Sequence, residues 1–289
     1  MKNDKIMIIG ATSGVAVELA NQLKNFNIIK VSRKQIDVNI NLKNYEKLIL
    51  KYKPKIIINC IVANGIDYCE NVPQEAFKVN TALPIYIATI CKKIGAKFIH
   101  FSTEAIFSGE KFNKSHSEKS KANPKTIYGI SKLLADINLL NFNNVLILRV
   151  PMLFGPSHKR QLISRLLEQL KKGKKIYASN DVFSTPLYIP ELAKLVVRII
   201  KEKRKYFTKN SDKIINFSSN EYMSIYELIF IYASYLNKEK KIIKVKDSFF
   251  NKNSIKPKYL GLRSKKNYTS HKSIHNCVKD HLMKLKTYN

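Results

Sequence analysis

The sequence contains no tryptophan, few cysteines and no long hydrophobic run. None of its apolar runs approaches the roughly 20 residues that a membrane-spanning helix needs, so we expect no membrane span. The four cysteines, Cys60, Cys69, Cys91 and Cys277, lack the spacing of a disulfide framework, which is typical of reduced thiols. The short apolar run Lys5–Ile9 is predicted to be a first strand and not a signal peptide. Together these features predict a cytoplasmic protein.

Acidic residues are also scarce, with 21 Asp and Glu against 52 Lys and Arg and a net charge of +31. Such an excess is typical of proteins that bind nucleic acids or membrane surfaces. However, only 7 of the basic residues are Arg, which indicates codon bias, and no basic helix is interleaved with aromatic residues. Residues 241–289 hold 13 Lys and Arg against 2 Asp and Glu, a local excess that would attract a phosphate. We predict no nucleic-acid partner.

Short apolar runs alternate with helical patterns through the first 150 residues. The runs are apolar almost throughout, as strands covered on both faces must be. The predicted strands are Lys5–Ile9, Asn27–Val31, Lys55–Cys60, Lys97–Ser102 and Val145–Val150. The longest helical pattern between them runs from Glu75 to Ile94. This alternation predicts an α/β fold with a Rossmann-type, doubly wound parallel sheet.

The alternation of strand and helix patterns becomes less regular after Gly155. We place the start of a smaller C-terminal substrate-binding lobe there. Ile214–Phe217 is predicted to be a sixth strand, and Ser224 and Glu227 have capping-box spacing before an apolar helix. The tail from Lys238 onward shows little periodicity. We therefore predict a nucleotide-binding domain over residues 1–155 and a lobe over 156–289, interwoven with it.

A turn of small residues follows the first predicted strand, from Gly10 to Ala16. Such a turn lets backbone N–H groups at a helix start approach a pyrophosphate. The predicted contacts are Gly10, Thr12, Ser13, Gly14 and Val15. The second strand ends at Ser32 and Arg33, where a basic residue suits the 2′-phosphate of NADPH and an acidic one would suit NADH. The sequence therefore favours NADPH, with NADH as the alternative.

Tyr128 and Lys132 are four residues apart and so share one face of a predicted helix. An ammonium near a phenol lowers the phenol pKa, and the phenol then donates its proton more readily to a ketone oxygen. Thr103 ends the fourth predicted strand, at the sheet edge where such folds bind ligands. We interpret Thr103, Tyr128 and Lys132 as the catalytic residues.

These residues belong to seven segments, in order along the chain, that resemble the extended short-chain dehydrogenases and among them the dTDP-4-dehydrorhamnose reductases. The segments are Ile57–Cys60, Glu75–Asn80, Phe101–Gly109, Tyr128–Lys132, Leu146–Arg149, Phe183–Ala193 and Lys256–Leu262. The resemblance implies a cytoplasmic reductase that transfers hydride from NADPH to the C4 ketone of a nucleotide-linked deoxysugar, in surface polysaccharide synthesis. The expected partners are that substrate and, in a homodimer, a second copy of the chain.

The resemblance also implies roles for further residues. The adenosine half of the cofactor and its groove are expected at Arg33, Asp37, Val38, Asn59, Cys60, Ile61, Val62 and Asn80. Tyr128 and Lys132 are also expected to contact the cofactor, with Lys132 at the nicotinamide ribose. The substrate is expected at Thr103, Glu104, Ala105 and Met152. The chain departs from the family at three places. Gly14 and Ala16 stand in its glycine loop, Glu104 and Ala105 replace its Asp-Tyr, and Met152 replaces its Trp.

Two alternatives remain open. An epimerase or dehydratase of the same fold would return the hydride to the sugar, and a non-catalytic binding subunit would explain the altered glycine loop. No metal site is predicted, since His271, His275, Cys277 and His281 lie in a basic tail without paired ligands elsewhere. Cys60 and His100 are interpreted as structural residues. Glu18 is interpreted as a surface or capping charge, and the same interpretation is open for Glu104 besides its expected contact with the substrate.

Overall fold

The computed structural model describes residues 4–32, 34, 42–63, 65–111, 115–156, 162–208, 211–250, 256–266 and 268–287. The strands are β1 (Lys5–Ile9), β2 (Asn27–Val31), β3 (Ile56–Asn59), β4 (Lys97–Thr103), β5 (Val145–Val150), β6 (Leu153–Phe154), β7 (Ile176–Ser179), β8 (Phe183–Ser184), β9 (Leu187–Tyr188), β10 (Ile214–Asn216), β11 (Ser218–Ser219), β12 (Met223–Ser224), β13 (Ile242–Val245) and β14 (Thr269–Ser270). The helices are α1 (Gly14–Gln22), α2 (Lys43–Tyr52), α3 (Ile66–Asn71), α4 (Pro73–Phe77), α5 (Leu83–Ile94), α6 (Ile127–Leu139), α7 (Leu162–Lys171), α8 (Ile189–Lys201), α9 (Lys203–Tyr206), α10 (Ile225–Tyr235) and α11 (Ile274–Thr287).

Six parallel strands form the central sheet in the order β10-β5-β4-β3-β1-β2. Alternate residues of β1 face opposite sides, which explains its continuous apolar sequence. Ile6 and Ile8 pack with α1 and α8, whereas Met7 and Ile9 pack with α2, α5 and α6. The predicted Rossmann-type α/β fold is confirmed. The strand order reverses between β1 and β3, and the ligand crevice of such a sheet lies outside the strand ends at that point.

The second half of the chain contributes to both the sheet and a separate core. β10 is the edge strand beside β5, and α8 packs in the same apolar layer as α1. Helices α7, α10 and α11 bury a third core of their own. The predicted capping box begins α10, where Ser224 Oγ accepts the Glu227 N–H at 3.1 Å and the Glu227 carboxylate accepts the Ser224 N–H.

The helix α11 corrects the prediction of a tail with little periodicity. Its buried residues are Ile274, Cys277, Val278, His281 and Leu282. These positions are spaced at i, i+3, i+4, i+7 and i+8, the pattern of an apolar helix face. Basic residues between these positions, such as exposed Lys279, conceal this pattern in the composition of the tail. Two of the residues that resembled metal ligands, Cys277 and His281, are part of this core, where the Tyr232 hydroxyl contacts His281 Nδ1 at 2.6 Å.

The helical pattern predicted from Glu75 to Ile94 is divided into three pieces. A π-helical segment, Lys78–Ala82, lies between α4 and α5. Such segments are rare and often occur at functional sites. Here the wider turn carries Asn80, which is 1% exposed and contacts Ala63 after β3 and Ser131 of α6. Among the described residues, no helix is both long and apolar enough to cross a membrane.

Candidate active site

The turn after β1 lies in the crevice between the ends of β1, β2 and β3. Gly10 has φ +84°, and a Cβ atom there would lie 2.8 Å from the Cys60 carbonyl carbon at the end of β3. Only glycine fits this approach. The N–H groups of Gly10 and Ala11 donate to Val31 O of β2 at 2.9 and 3.0 Å. The turn is thereby attached to both neighbouring strands.

The same turn begins α1. Ser13 Oγ accepts the Ala16 N–H at 3.2 Å and caps the helix. The remaining N–H groups of a first turn have no acceptor within the helix and suit a pyrophosphate. The predicted loop residues Thr12, Ser13, Gly14 and Val15 all lie here. The donor set therefore fits a dinucleotide cofactor.

The opposite wall of the crevice follows β3. Cys60 is 9% exposed, and burial raises the pKa of its thiol to about 12, as expected of a core cysteine. Ile61 and Val62 are partly exposed along the wall. Asn80 fixes Ala63, the residue after Val62. The Oδ1 of Asn80 accepts the Ala63 N–H at 2.9 Å, and its Nδ2 donates to Ser131 Oγ of α6 at 3.1 Å. Asn80 thus holds the loop after β3, and its predicted contact with the cofactor stays a prediction.

The adenosine end of the predicted site is described in part. Ser32 directly follows β2, beside the glycine turn. Arg33, Asp37 and Val38 lie outside the described residues. Their predicted contacts with the cofactor stay predictions.

Thr103 and Tyr128 meet at the carboxyl end of β4. Thr126 Oγ1 accepts the Gly129 N–H at 3.1 Å and caps α6. A Cβ at Gly129 would overlap the Ala105 carbonyl oxygen, so glycine lets the start of α6 press against the end of β4. The phenol of Tyr128 thereby lies beside the Thr103 side chain, which lowers its pKa. The enclosed position of the phenol has the larger effect and raises its pKa to about 12.

Lys132 lies one turn further along α6 and is 2% exposed. Its Nζ donates to Phe101 O at 2.6 Å and lies 2.9 Å from His100 Nε2. Burial lowers its pKa to about 8, and the Asp136 charge opposes this shift. The sequence predicts that Lys132 lowers the pKa of Tyr128. In this structure burial dominates and the pKa of Tyr128 is raised.

A buried ion pair supports the catalytic helix. Asp136 Oδ2 accepts from Arg149 Nε of β5 at 3.0 Å and from Ser102 Oγ of β4 at 2.9 Å. Asp136 and Arg149 are 1% and 5% exposed. Sequence reasoning missed Asp136, although it lies four residues after Lys132 and so continues the helix face that carries Tyr128 and Lys132.

The burial of Glu104 corrects its interpretation as a surface charge, whereas its predicted contact with the substrate stays a prediction. Glu104 is 6% exposed, and its Oε1 accepts from Ser184 Oγ at 2.7 Å and from Met152 N at 3.1 Å. Burial raises its pKa to about 8. Glu104 therefore joins β4 to the loops after β5 and around β8. Glu18 is also buried, at 8% exposure, and its Oε1 accepts from Gln22.

The other two predicted substrate residues differ in exposure. Ala105 is 4% exposed and packs with Ile106, Phe107 and Leu262, and its predicted contact with the substrate stays a prediction. Met152 is partly exposed, and its backbone is fixed by Glu104. In the part of the chain that the structure describes, no three His, Cys, Asp or Glu side chains are grouped as a metal site.

Comparisons with known proteins agree with this geometry. The model of the family described as the RmlD substrate binding domain matches residues 4–285. The spore coat polysaccharide biosynthesis protein SpsK of Bacillus subtilis is 26% identical over 198 residues, 68% of this chain and 69% of that protein. Subunit beta of bovine (Bos taurus) methionine adenosyltransferase 2 is 26% identical over 248 residues, 81% of this chain and 73% of that protein.

Solved structures show the same fold. A dTDP-4-dehydrorhamnose reductase of Clostridium acetobutylicum superposes with a TM-score of 0.87 at 23% identity, covering 98% of this chain and 99% of that one. The dTDP-4-dehydrorhamnose reductase of Bacillus anthracis, in complex with NADP, has a TM-score of 0.88 at 20% identity, with coverage of 98% and 99%. Since the family model spans nearly all the described residues and the fold agrees over the full sheet, this chain belongs to the RmlD substrate-binding domain family, within the extended short-chain dehydrogenase fold.

Proposed function

We propose that this chain, an NAD(P)-dependent oxidoreductase by its family, uses NADPH to reduce the 4-keto group of a deoxysugar linked to a nucleoside diphosphate. The observation that carries the proposal is the contact of Tyr128 with Thr103 at the end of β4, one helical turn from buried Lys132. The similarity to dTDP-4-dehydrorhamnose reductases and to a polysaccharide biosynthesis protein supports the substrate class and a role in making polysaccharide precursors.

Tyr128 is suited to be the proton donor. Its pKa of about 12 keeps the phenol protonated at neutral pH, so it has a proton to give. The adjacent Thr103 hydroxyl would bond the same ketone oxygen and hold it in line with the phenol. Bound NADPH would supply the hydride to the ketone carbon. Lys132, at the floor of the cleft, would hold the nicotinamide ribose.

The preference for NADPH over NADH rests on the sequence. Ser32 and Arg33 follow β2, where a phosphate would meet a basic residue. The NADP complex of the Bacillus anthracis structure supports it, although other structures of this fold hold NAD. Equal rates with the two cofactors would contradict this part of the proposal. A homodimer stays a prediction.

The test is NADPH oxidation, followed at 340 nm, with a panel of nucleotide-linked 4-keto-6-deoxysugars. Tyr128→Phe removes only the hydroxyl and is expected to lower the rate by about 10²- to 10⁴-fold, the usual contribution of a general acid. Tyr177→Phe is the matched control, because Tyr177 is exposed on β7 and contacts Phe249. A Tyr128→Phe enzyme as fast as the wild type would refute the proposed proton donor.

The similarity to methionine adenosyltransferase 2 subunit beta favours a second candidate, a binding subunit of another enzyme. Tight NADPH binding without turnover of any sugar nucleotide in the panel would support it. The retained Thr103, Tyr128 and Lys132 favour the reductase.

A further inference from the structure

A second cleft lies beside the small parallel pair of strands β11 and β14. Its volume is about 440 Å³, within the range of about 300 to 1,000 Å³ that small-molecule sites have. Six of the residues that line it are Ser or Thr, and Arg263 adds a positive charge. Such a lining suits a ligand that has both hydroxyl groups and a negative charge.

Two adjacent residues separate this cleft from the site proposed for reduction. The Ser184 hydroxyl donates to Glu104, the residue after Thr103, at 2.7 Å. Thr185 lines the second cleft instead, and its Oγ1 accepts the Leu262 N–H at 2.9 Å. None of the three proposed catalytic residues, all of them described, lines this cleft. A ligand bound here would therefore occupy a place that the reduction does not use.

The backbone of Arg263 is fixed although its side chain is exposed. Its N–H donates to His116 O at 2.9 Å, and its carbonyl oxygen accepts from Asn216 Nδ2 at 3.2 Å. Asn216 is fully buried and also donates to His116 O, at 2.9 Å. A buried amide thus holds the base of the arginine side chain at the cleft.

The guanidinium group of Arg263 forms no ion pair or hydrogen bond within the part of the chain that the structure describes. The carboxylate of Glu118 lies on the neighbouring segment but is already occupied. It accepts from Asn216 N at 3.1 Å, Ser264 Oγ at 2.8 Å and Lys265 N at 3.0 Å. The charge of Arg263 is therefore available to an anion from solution, and a guanidinium binds phosphate through two parallel hydrogen bonds.

Further hydrogen-bonding groups face the same cleft. Ser115 Oγ has no hydrogen-bond partner among the described residues. Thr269 Oγ1 donates to Asn220 Oδ1 at 2.7 Å, which leaves the amide nitrogen of Asn220 for a ligand. A Cβ at Gly261 would lie 3.3 Å from Ser115 Oγ and 3.0 Å from the Tyr222 ring, so glycine leaves room between these side chains. Hydroxyl and amide groups in this arrangement suit the hydroxyls of a sugar.

The aromatic residue of the lining is already packed within the protein. The ring of Tyr222 is stacked on Phe183, with 5.4 Å between the centroids and 14° between the planes. Gly261 approaches the same ring at Cδ2 and Cε2. The described lining therefore favours a sugar over a nucleobase, which would bind by stacking on an aromatic plane.

We propose that this cleft binds a phosphorylated sugar, with Arg263 at the phosphate and with Ser115 and Asn220 at the sugar hydroxyls. The hydroxyls of Thr185 and Ser218 form the floor, because both contact the backbone of Leu262. The site is independent of the proposed reduction, since none of its groups takes part in that reaction.

Isothermal titration calorimetry of the full chain, with NADPH in excess, tests the proposal. The probes are glucose 1-phosphate, glucose 6-phosphate, inorganic phosphate and thymidine monophosphate. We expect saturable binding of at least one hexose phosphate, about tenfold or more tighter than that of inorganic phosphate or the nucleotide. Arg263→Gln should weaken this binding by about tenfold or more, the usual effect of losing a hydrogen bond to a charged group. Arg204→Gln is the matched control, because it removes the same charge from an exposed position on α9 and should leave the affinity unchanged.

Ser115→Ala tests recognition of the sugar separately from the charge. It should weaken hexose phosphate binding by about two- to tenfold and leave inorganic phosphate unaffected. Equal affinities of wild type and Arg263→Gln would overturn the proposal, as would no saturable binding of either hexose phosphate. Tighter binding of thymidine monophosphate would assign the cleft to a nucleotide and also overturn it. Arg263→Gln locates the bound probe even if NADPH does not bind, so failure of the proposed reductase leaves this test intact.

Discussion

Glu104→Gln should make the folded protein less sensitive to alkaline pH. Burial raises the pKa of Glu104 from 4.5 in the unfolded chain to about 8 in the folded one. Between these values the folded chain keeps a proton that the unfolded chain has released. The stability of the wild type therefore falls as the pH rises through this window. The stabilising contribution of protonated Glu104 is fully present below about pH 4.5 and is completely lost above about pH 8.

The size of the effect follows from the same two values. One pKa unit corresponds to about 1.4 kcal/mol, so the displacement from 4.5 to about 8 sets an upper limit of roughly 4 to 5 kcal/mol. Glutamine stays uncharged, and its side chain is able to keep the contacts with Ser184 Oγ at 2.7 Å and Met152 N at 3.1 Å. The free energy of unfolding of the variant should rise relative to the wild type by up to this amount between pH 4.5 and 8.5.

Urea denaturation at a series of pH values measures the difference. The contributions of the other titrating groups to the pH dependence of stability cancel between variant and wild type, because the substitution changes one buried side chain. Glu168→Gln is the matched control, since Glu168 forms an exposed ion pair with Lys172 at 3.2 Å. Its effect should stay within about 1 kcal/mol at every pH. If Glu104→Gln and the wild type lose stability in parallel across this range, the buried, protonated Glu104 is refuted.

Three further substitutions test the supports of the site. Gly129→Ala places a methyl group against Ala105 O and should displace α6, so kcat should fall by roughly 10²-fold and NADPH binding, measured in a titration, should weaken as Lys132 moves with the helix. Gly10→Ala should lower the free energy of unfolding by roughly 2 to 4 kcal/mol in urea, because φ is +84° and the Cβ has no room. Arg149→Met leaves Asp136 unpaired and should cost about 3 to 5 kcal/mol, whereas adding Asp136→Leu should restore much of this loss. Equal stabilities of the single and double variants would contradict the last expectation.

The fold was predictable where the apolar pattern is continuous. β1, β2 and β5 have the predicted bounds, because strands covered on both faces have an unambiguous composition. The tail was predicted poorly because exposed Lys279 stands in sequence between buried Val278 and His281, so composition conceals the spacing of the buried residues of α11. The basic charge of this segment gives no sign of the regular spacing of its buried residues. The division of the 75–94 pattern by a π-helical segment has no comparable signal in composition.

The candidate site was predictable where a chemical group must sit at a strand end or a helix start. Thr103 and Tyr128 come together as their positions predict. The pKa of Tyr128 was not predictable, because it depends on enclosure by residues distant in sequence. His100 was interpreted as structural because a lone histidine on an apolar strand gives no sign of its neighbours. Its contact with Asn59 arises from register, since β3 and β4 pair Asn59 with His100, and its contact with Lys132 arises from the packing of α6 on the sheet.

Glu104 also bears on substrate selection. Its carboxyl group fixes the Met152 N–H at 3.1 Å and the Ser184 hydroxyl at 2.7 Å, so the backbone after β5 is held against the substrate lobe. Met152 is partly exposed from that fixed backbone, at the position where the family carries a tryptophan. A flexible, apolar side chain there offers contact without a stacking plane or a hydrogen-bond donor. If reduction takes place at Tyr128 as proposed, Met152→Trp should change KM across the sugar-nucleotide panel more than it changes kcat.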